Sequence, residues 1–563
     1  MTQEKANRWK LFLCLGIFIW FVTNLLQGIF TEIHEDEAYY ALYGENLAWG
    51  YFDHPPMVGL MTFLSRILFS GTLGVRFFTI IVSCLTLFVV WKIVDEQSPN
   101  NGKVLTFFTI TFSIVMLNVY GFITTPDASL ILFSSLFLLV YQSYLEGSTW
   151  PKALLMGLLM SLMMYSKYHA SLLLALIVLS NLSLLKDGKF WVAAMFAILL
   201  YVPHILWQFE ADFPSLKYHL VQRNSSFQWS YLLEYLPNQL LVFNPLVFGA
   251  MVYLLVKHRP KDVFERGLYF IIIGFFVFFF FSSLRGHVEP HWTMVCTIPI
   301  VVLIYRKCQM DDKLHRFVRC FVMPSVLLVA VMRVLLLTPM AGRFGFYGKQ
   351  QYYKAIEEVA GDKPVVFPTS FQAPSLYHFF TGKEASTVRN YYERKTQFDL
   401  WQKDLQWLGD SVFICGKVYG VDTVFHRNDT AFSGYMATNY MSANRLSCRF
   451  SIANAGVDET PVFHHGDTLY LDFSIENPSD VPVAFSSPEF PMTIMVKYLE
   501  SDDSSFCKYD PDFVIKPHSI YHGKLSTVVG DDVEIGNNRL ALGIGDLVIF
   551  SITDESCIDI VIK

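Results

Sequence analysis

Apolar residues come in eleven long runs over the first 338 positions, at about 10–30, 72–94, 103–121, 127–145, 152–165, 169–185, 189–207, 239–257, 267–284, 291–305 and 320–338. A membrane-crossing helix needs about 20 such residues, so the pattern predicts about eleven transmembrane helices. Two runs, 152–165 and 169–185, are short. They predict that the turn between them, Ser166–His169, lies below the lipid surface, where a lysine at 167 needs an anion or a wet cavity. Past Leu337 the pattern changes. Gln350–Val359 is amphipathic, and Val365–Phe367 and Ser411–Cys415 read as short buried strands. From about 451 strict alternation takes over, in Thr468–Ile475, Met492–Tyr498 and Leu547–Ile552, with Asn, Pro, Gly and Asp between. The predicted fold class is a polytopic α-helical membrane protein followed by a soluble region. Its domains are 1–339 in the membrane, a small α/β domain at 340–450 and a β-sandwich at 451–563.

The densest polar stretch, 31–57, sits between two apolar runs. It holds Glu32, His34, Glu35, Asp36, Glu37, Asp53 and His54, interleaved with Tyr39, Tyr40, Tyr43, Trp49 and Tyr51. Asp36, Tyr40, Tyr43 and Leu47 share helical spacing. They predict an amphipathic helix over 36–48 lying on the membrane, with acids in its first turn where the helix dipole favours them. The loops alternate in charge. Lys5, Arg8 and Lys10, then Lys92 and Lys103, Lys152, Lys186 and Lys189, Lys257 to Arg266, and Arg306 to Arg319 fall on one side. The positive-inside rule makes that side, and the N-terminus, cytoplasmic. Parity then puts 31–57, Thr124–Asp127, Ser166–His169, 208–238, 285–291 and everything after 338 on the outer face.

Composition supports the membrane reading. Hydrophobic residues make up 53% and charged residues 16%, against about 25% charged in an ordinary soluble chain. The net charge of −6 is uninformative, and no basic patch points to nucleic acid. The basic, apolar N-terminus lacks a small-residue cleavage site and is expected to stay as the first span. The nine cysteines show no CxxC. Cys14, Cys84, Cys296 and Cys320 read as core residues, while Cys415, Cys448, Cys507 and Cys557 leave one or two disulfides open.

The outer loops combine carboxylates with cations. Lys167 beside Tyr168, Arg223 and Arg285 are natural phosphate partners. Asp127 heads a span, Glu289 and His291 flank Pro290, and Asp53-His54-Pro55-Pro56 is a rigid polar turn. Plain structural readings compete: acidic caps for Asp36 and Glu37, a helix start for Asp127, a solvated loop charge for Arg223 and a snorkelling Arg285. No cofactor is firmly implied, although His34, Asp36, Asp53 and His54 could hold a divalent metal. The kit suits glycosyl transfer from a lipid phosphate. The phosphate leaves without a general acid once cations neutralise it, so a single carboxylate base for the acceptor suffices, and one displacement inverts the sugar.

The segments HEDEAYYALYGENLAWGYFDHPPM (34–57), TTPDA (124–128), SKYHA (166–170), FEADFPSLKYHLVQR (209–223) and RGHVEPHWT (285–293) resemble, in this order, the bacterial protein-mannosyltransferase and aminoarabinose-transferase-like group. These are glycosyltransferases of the GT-C fold. The resemblance spans about residues 10–340. It implies a polyprenyl-phosphate-linked sugar (hexose or pentose) as donor and a lipid, glycan or protein acceptor at the periplasmic face of a bacterial inner membrane. It also implies that Asp36 is the catalytic base, Glu37 orients or binds the acceptor, and Asp127 is a second functional acid. The rival readings are a transporter or flippase of lipid-linked sugars, and a non-enzymatic assembly or sensor protein that binds through its outer β-domain.

Overall fold

The computed structural model describes residues 3–219, 227–390, 393–418, 423–427, 430–455, 460–501, 506–552 and 556–563. The chain divides into two compact units, Met1–Lys349 and Gln350–Lys563.

The first unit is helical. In order come α1 Gln3–Phe30, α2 Glu35–Glu45, α3 Met57–Leu68, α4 Gly71–Val94, α5 Asn101–Ser113, α6 Val115–Val119, α7 Pro126–Glu146, α8 Trp150–Ser166 and α9 Ala170–Ser180. They are followed by α10 Gly188–Glu210, α11 Pro214–Lys217, α12 Trp229–Phe243, α13 Pro245–Lys257, α14 Val263–Ser282, α15 Thr297–Cys308, α16 Asp312–Phe317 and α17 Met323–Leu335. Every predicted apolar run falls on helix, but the runs are not eleven continuous spans. Among the described residues six helices are long and apolar enough to cross a membrane: Arg8–Phe30, Gly71–Val94, Pro126–Glu146, Gly188–Glu210, Val263–Ser282 and Asp312–Leu335. A bent pair, α12 and α13, makes a seventh if it is one span. The other runs are short or interrupted. α9 has only 11 residues, about 17 Å of rise.

Two further differences concern the polar loops. The predicted loop 208–238 contains most of α12, and the predicted straight span 239–257 is bent by 101° between Phe243 and Pro245. Asn244 makes the corner with φ +72°. Its amide donates to Ser113 O (3.0 Å) and Ser325 Oγ (2.8 Å), and its Oδ1 accepts from Leu246 N. The predicted surface helix 36–48 is instead an interior one. Glu37 to Gly44 of α2 are buried, because α3, which the sequence pattern leaves unassigned, packs across it. At that crossing Gly44 lies so close to Thr62 and the Phe63 backbone that a Cβ would sit 2.5 and 2.8 Å from them.

Behind this polar layer lies one large apolar core that includes Trp20, Phe107, Phe137, Tyr141 and Tyr305. The outward faces are apolar as well. Val256, Leu328 and Phe209 are among many large exposed hydrophobics, as lipid-facing helices require.

The second unit opens on α18 Lys349–Ala360, β1 Val365–Phe367, α19 Gln372–Thr381, β2 Ala385–Thr387, α20 Gln397–Trp401, β3 Val412–Cys415, β4 Val424–Arg427 and β5 Thr430–Ala437. Its first sheet runs β2-β1-β3-β5-β4, parallel at β2-β1-β3 and antiparallel beyond. Then follow β6 Ser447–Ile452, β7 Val462–Phe463, β8 Thr468–Asn477, β9 Val483–Ala484, β10 Thr493–Tyr498, β11 Phe506–Tyr509, β12 Val514–Ile515, β13 Ser519–Val528, β14 Gly536–Gly545, β15 Phe550–Ser551 and β16 Cys557–Ile562. They form a sheet β11-β10-β14-β16-β7, with β15 on β14, a sheet β13-β8-β6, and a β12-β9 pair. A single core spans both large sheets and reaches back to Val366, Val412 and Ile414.

Cys14, Cys84, Cys296, Cys308, Cys320, Cys415 and Cys507 are free thiols. Cys507 on β11 and Cys557 on β16 are separated by β10 and β14. Three strand spacings of about 4.8 Å far exceed the ~7 Å limit between bridged Cα atoms.

Candidate active site

The site grows from the first turn of α2. His34 caps it: its Nδ1 accepts from Asp36 N (3.3 Å), while its own N–H donates to Glu37 Oε2 (3.0 Å). This arrangement separates the two adjacent acids. Asp36 keeps its carboxylate 45% exposed, 3.8 Å from His34 Nδ1. Glu37 is fully buried and accepts four hydrogen bonds, from Arg76 Nε (2.8 Å), the Arg76 guanidinium again (2.5 Å), Thr124 N (2.9 Å) and His34 N. A carboxylate has about four lone-pair sites, so none is left for a substrate. Glu37 thereby links the start of α2 to α4 and to the turn before α7.

Arg76 is the residue that sequence reasoning missed. It is fully buried on α4, and its remaining donors reach the carbonyls of Gly28 (3.2 Å), Thr31 (2.7 Å) and Glu32 (3.0 Å). All five of its N–H groups are used. One ion pair therefore ties the end of α1, the start of α2, α4 and the turn before α7. Its signal was present in the sequence, as a lone arginine inside an apolar run.

Next to this clamp lies a second buried pair. Pro126 opens α7 and places Asp127 in its first turn. Lys167, at the end of α8, grips both Asp127 oxygens (2.7 and 2.9 Å), and His291 Nε2 stands 3.8 Å from Asp127 Oδ2. The His291 ring lies against Tyr120 (5.6 Å between centroids). Two buried polar atoms beside this pair have no partner among the described residues: Thr125 Oγ1 and His169 Nδ1. An unmade buried hydrogen bond costs about 1–3 kcal/mol, so their placement suits a polar ligand.

The 53–54 turn adds a third set of polar groups. Asp53 is buried and accepts from Tyr43 Oη (2.7 Å), while its carbonyl meets His219 Nε2 (3.2 Å). His54 Nε2 meets Tyr40 Oη (3.1 Å). Burial, against the pull of Asp53 and Asp127 and with the push of Lys167 and His219, brings the His54 imidazole down to about 4. Burial first, then Asp36, Asp53, Tyr120 and Asp127, holds the Tyr40 phenol well above its usual range. Three carboxylates from three segments thus surround one phenol. Tyr168 Oη, at the wall, meets His204 Nε2 (3.1 Å) and accepts from Gln208 Nε2 (2.8 Å).

The other expected residues lie further out. Glu289 is half-buried, 3.7 Å from His287. Arg285 is exposed at the end of α14. Arg223 lies outside the described residues. Among the described residues no three His, Cys, Asp or Glu side chains come together as metal ligands.

Residues 53–207 match the family described as dolichyl-phosphate-mannose-protein mannosyltransferase. The lipid A galacturonosyltransferase RgtD of Rhizobium johnstonii is 24% identical over 327 residues, covering 54% of this chain and 67% of that protein. Among solved structures, ArnT from Cupriavidus metallidurans in the apo state superposes with a TM-score of 0.54 at 13% identity, over 75% of this chain and 96% of that one. The same protein bound to undecaprenyl phosphate gives 0.56 at 14% identity, over 76% and 98%. In fold the chain is a multi-pass helical membrane protein like ArnT, and its segment 53–207 is similar to the protein mannosyltransferase family.

Proposed function

We propose that the chain is an inverting glycosyltransferase that moves a sugar from a polyprenyl phosphate to an acceptor hydroxyl or phosphate. Asp36 takes the acceptor proton, and the acceptor oxygen attacks the anomeric carbon. The bond from that carbon to the carrier phosphate breaks, and the phosphate leaves with the electron pair. Lys167 supplies positive charge near the leaving group, with Asp127 setting its ammonium, and the exposed Arg285 meets the carrier phosphate from further out. The observation that carries the reading is the contrast between the two adjacent acids. One is locked in a fully satisfied buried ion pair, and the other keeps its carboxylate 45% exposed beside His34.

The similarity to a lipid A galacturonosyltransferase makes a uronic acid and a lipid A-type acceptor the first pair to try. The loop charges support a cytoplasmic N-terminus and a periplasmic site and C-terminal region. Purified protein is given a panel of undecaprenyl-phosphate sugars with lipid A, a glycan and a peptide acceptor. Asp36→Asn is expected to lower turnover by ~100-fold or more while donor binding persists. Near-normal turnover in that variant overturns the assignment.

A further inference from the structure

The last eleven residues of the first unit, 339–349, do more than connect. Pro339–Phe344 form a tight turn, and Gly345 (φ +72°) and Gly348 (φ +90°) fold the chain back on itself. The fold carries Phe346 into an apolar cluster with Ile80, Phe122, Ile123, Leu336 and Ala341. There its ring lies 5.4 Å from the His34 ring, tilted by 44°. Three residues on, the Lys349 backbone N–H donates to Glu32 Oε2 (3.0 Å). The Lys349 ammonium is within electrostatic reach of Glu35, Glu32, Glu37 and Asp36, in falling order of strength. Burial lowers its pKa, and those four acids work against that shift.

His34 is the cap that orients Asp36. Phe346 therefore bears on the cap, and Lys349 bears on the charge of the carboxylate. We propose that residues 345–349 are a strap that positions Asp36, with Phe346 fixing the His34 ring that caps it and Lys349, tied by its backbone to Glu32, holding a cation near the carboxylate. This gives the stretch that leads into the second unit a direct part in the site. The proposal rests on the reading of Asp36 as base only for its effect on turnover. Its effect on the carboxylate itself is separate. The charged and titratable groups facing Asp36 are His34, Glu35, Tyr40, Tyr120 and Lys349, with the Glu37–Arg76 pair beneath.

The test uses the full chain in lipid nanodiscs. Asp36 is labelled with a water-soluble carbodiimide and an amine across a pH series and read by peptide mass spectrometry. The protonated carboxyl is the form that reacts. Lys349→Met and Lys349→Gln are expected to move the labelling midpoint upward, because removing a nearby cation favours the neutral acid. Lys349→Arg is expected to keep it in place. Phe346→Ala is expected to speed labelling of Asp36, and Phe346→Leu to do so less. Thermal unfolding midpoints run in parallel identify variants that fail to fold, and the arginine and leucine variants serve in their place. An unchanged midpoint in both neutral Lys349 variants overturns the strap. In the transfer assay Lys349→Met is expected to lower kcat about tenfold or more with the donor KM unchanged. If Asp36→Asn retains turnover, the base assignment fails while the labelling result still decides the strap.

Discussion

An ammonium held 2.7 Å from a carboxylate among apolar helices makes the first strong residue-scale statement. Breaking a buried pair strands a charge, which costs about 3–5 kcal/mol, whereas removing both partners costs less. Asp127→Asn or Lys167→Met alone is therefore expected to lower the unfolding temperature of the detergent-solubilised protein sharply. The double variant should recover part of the loss, as thermal melts would show. His54 carries a pH dependence of definite sign. Its folded pKa of about 4 lies below the usual 6.5, so the unfolded chain takes up a proton first as pH falls. The neutral histidine's contribution is intact above about pH 6.5 and is lost progressively down to pH 4, about 3 kcal/mol in all. His54→Gln is expected to flatten that part of a stability-versus-pH curve. The acids and histidines of this site were visible in the sequence because charge inside an apolar pattern stands out. What each acid does was not. Asp36 and Glu37 are neighbours in the chain with opposite surroundings, and Arg76, 39 positions away from Glu37, makes the difference.

Among the elements, long apolar runs located nearly all the apolar helices, since lipid and core both demand apolar side chains. It failed where a helix end or corner depends on one residue. Asn244-Pro245 punctuates an otherwise unbroken apolar run, and the asparagine side chain takes the Leu246 N–H at the 101° corner while donating to Ser113 O at the end of α5. The placement of α2 failed for another reason. Its polar residues fit a surface helix equally well, and only the close crossing with α3 buries it. That crossing depends on glycine. Gly44→Ala would drive a Cβ into Thr62 and the Phe63 backbone, so α2 must shift and carry Asp36 with it. At Gly249 on α13 an added methyl group would meet nothing within 4 Å. Gly249→Ala is expected to be neutral or to stabilise by about 0.5–1 kcal/mol. Measured side by side, Gly44→Ala should lose both unfolding temperature and turnover, and Gly249→Ala neither.

At the scale of the whole molecule, the second unit carries its own core. Side chains from Val366 to Ile562 form one cluster, with Leu471, Ile475, Val496, Leu540 and Leu542 at 0% exposure. Alternation in the sequence found β8 and β10 but missed β14, whose GNNRLALGIG hides the pattern behind glycines. Gly543 is there because Ile552, Phe550 and the Ser551 carbonyl approach where a side chain would stand. A chain segment of 214 residues is of ordinary domain size, and a core complete within it should fold without the membrane unit. Residues 350–563 expressed alone are therefore expected to be soluble and monomeric, with a strand-rich circular dichroism spectrum and one cooperative melt. Because Cys507 and Cys557 stand three strands apart, that melt should be the same with and without reductant. A reductant-dependent shift would mean that a disulfide forms among Cys415, Cys448, Cys507 and Cys557. A non-cooperative melt would mean that the core depends on the first unit.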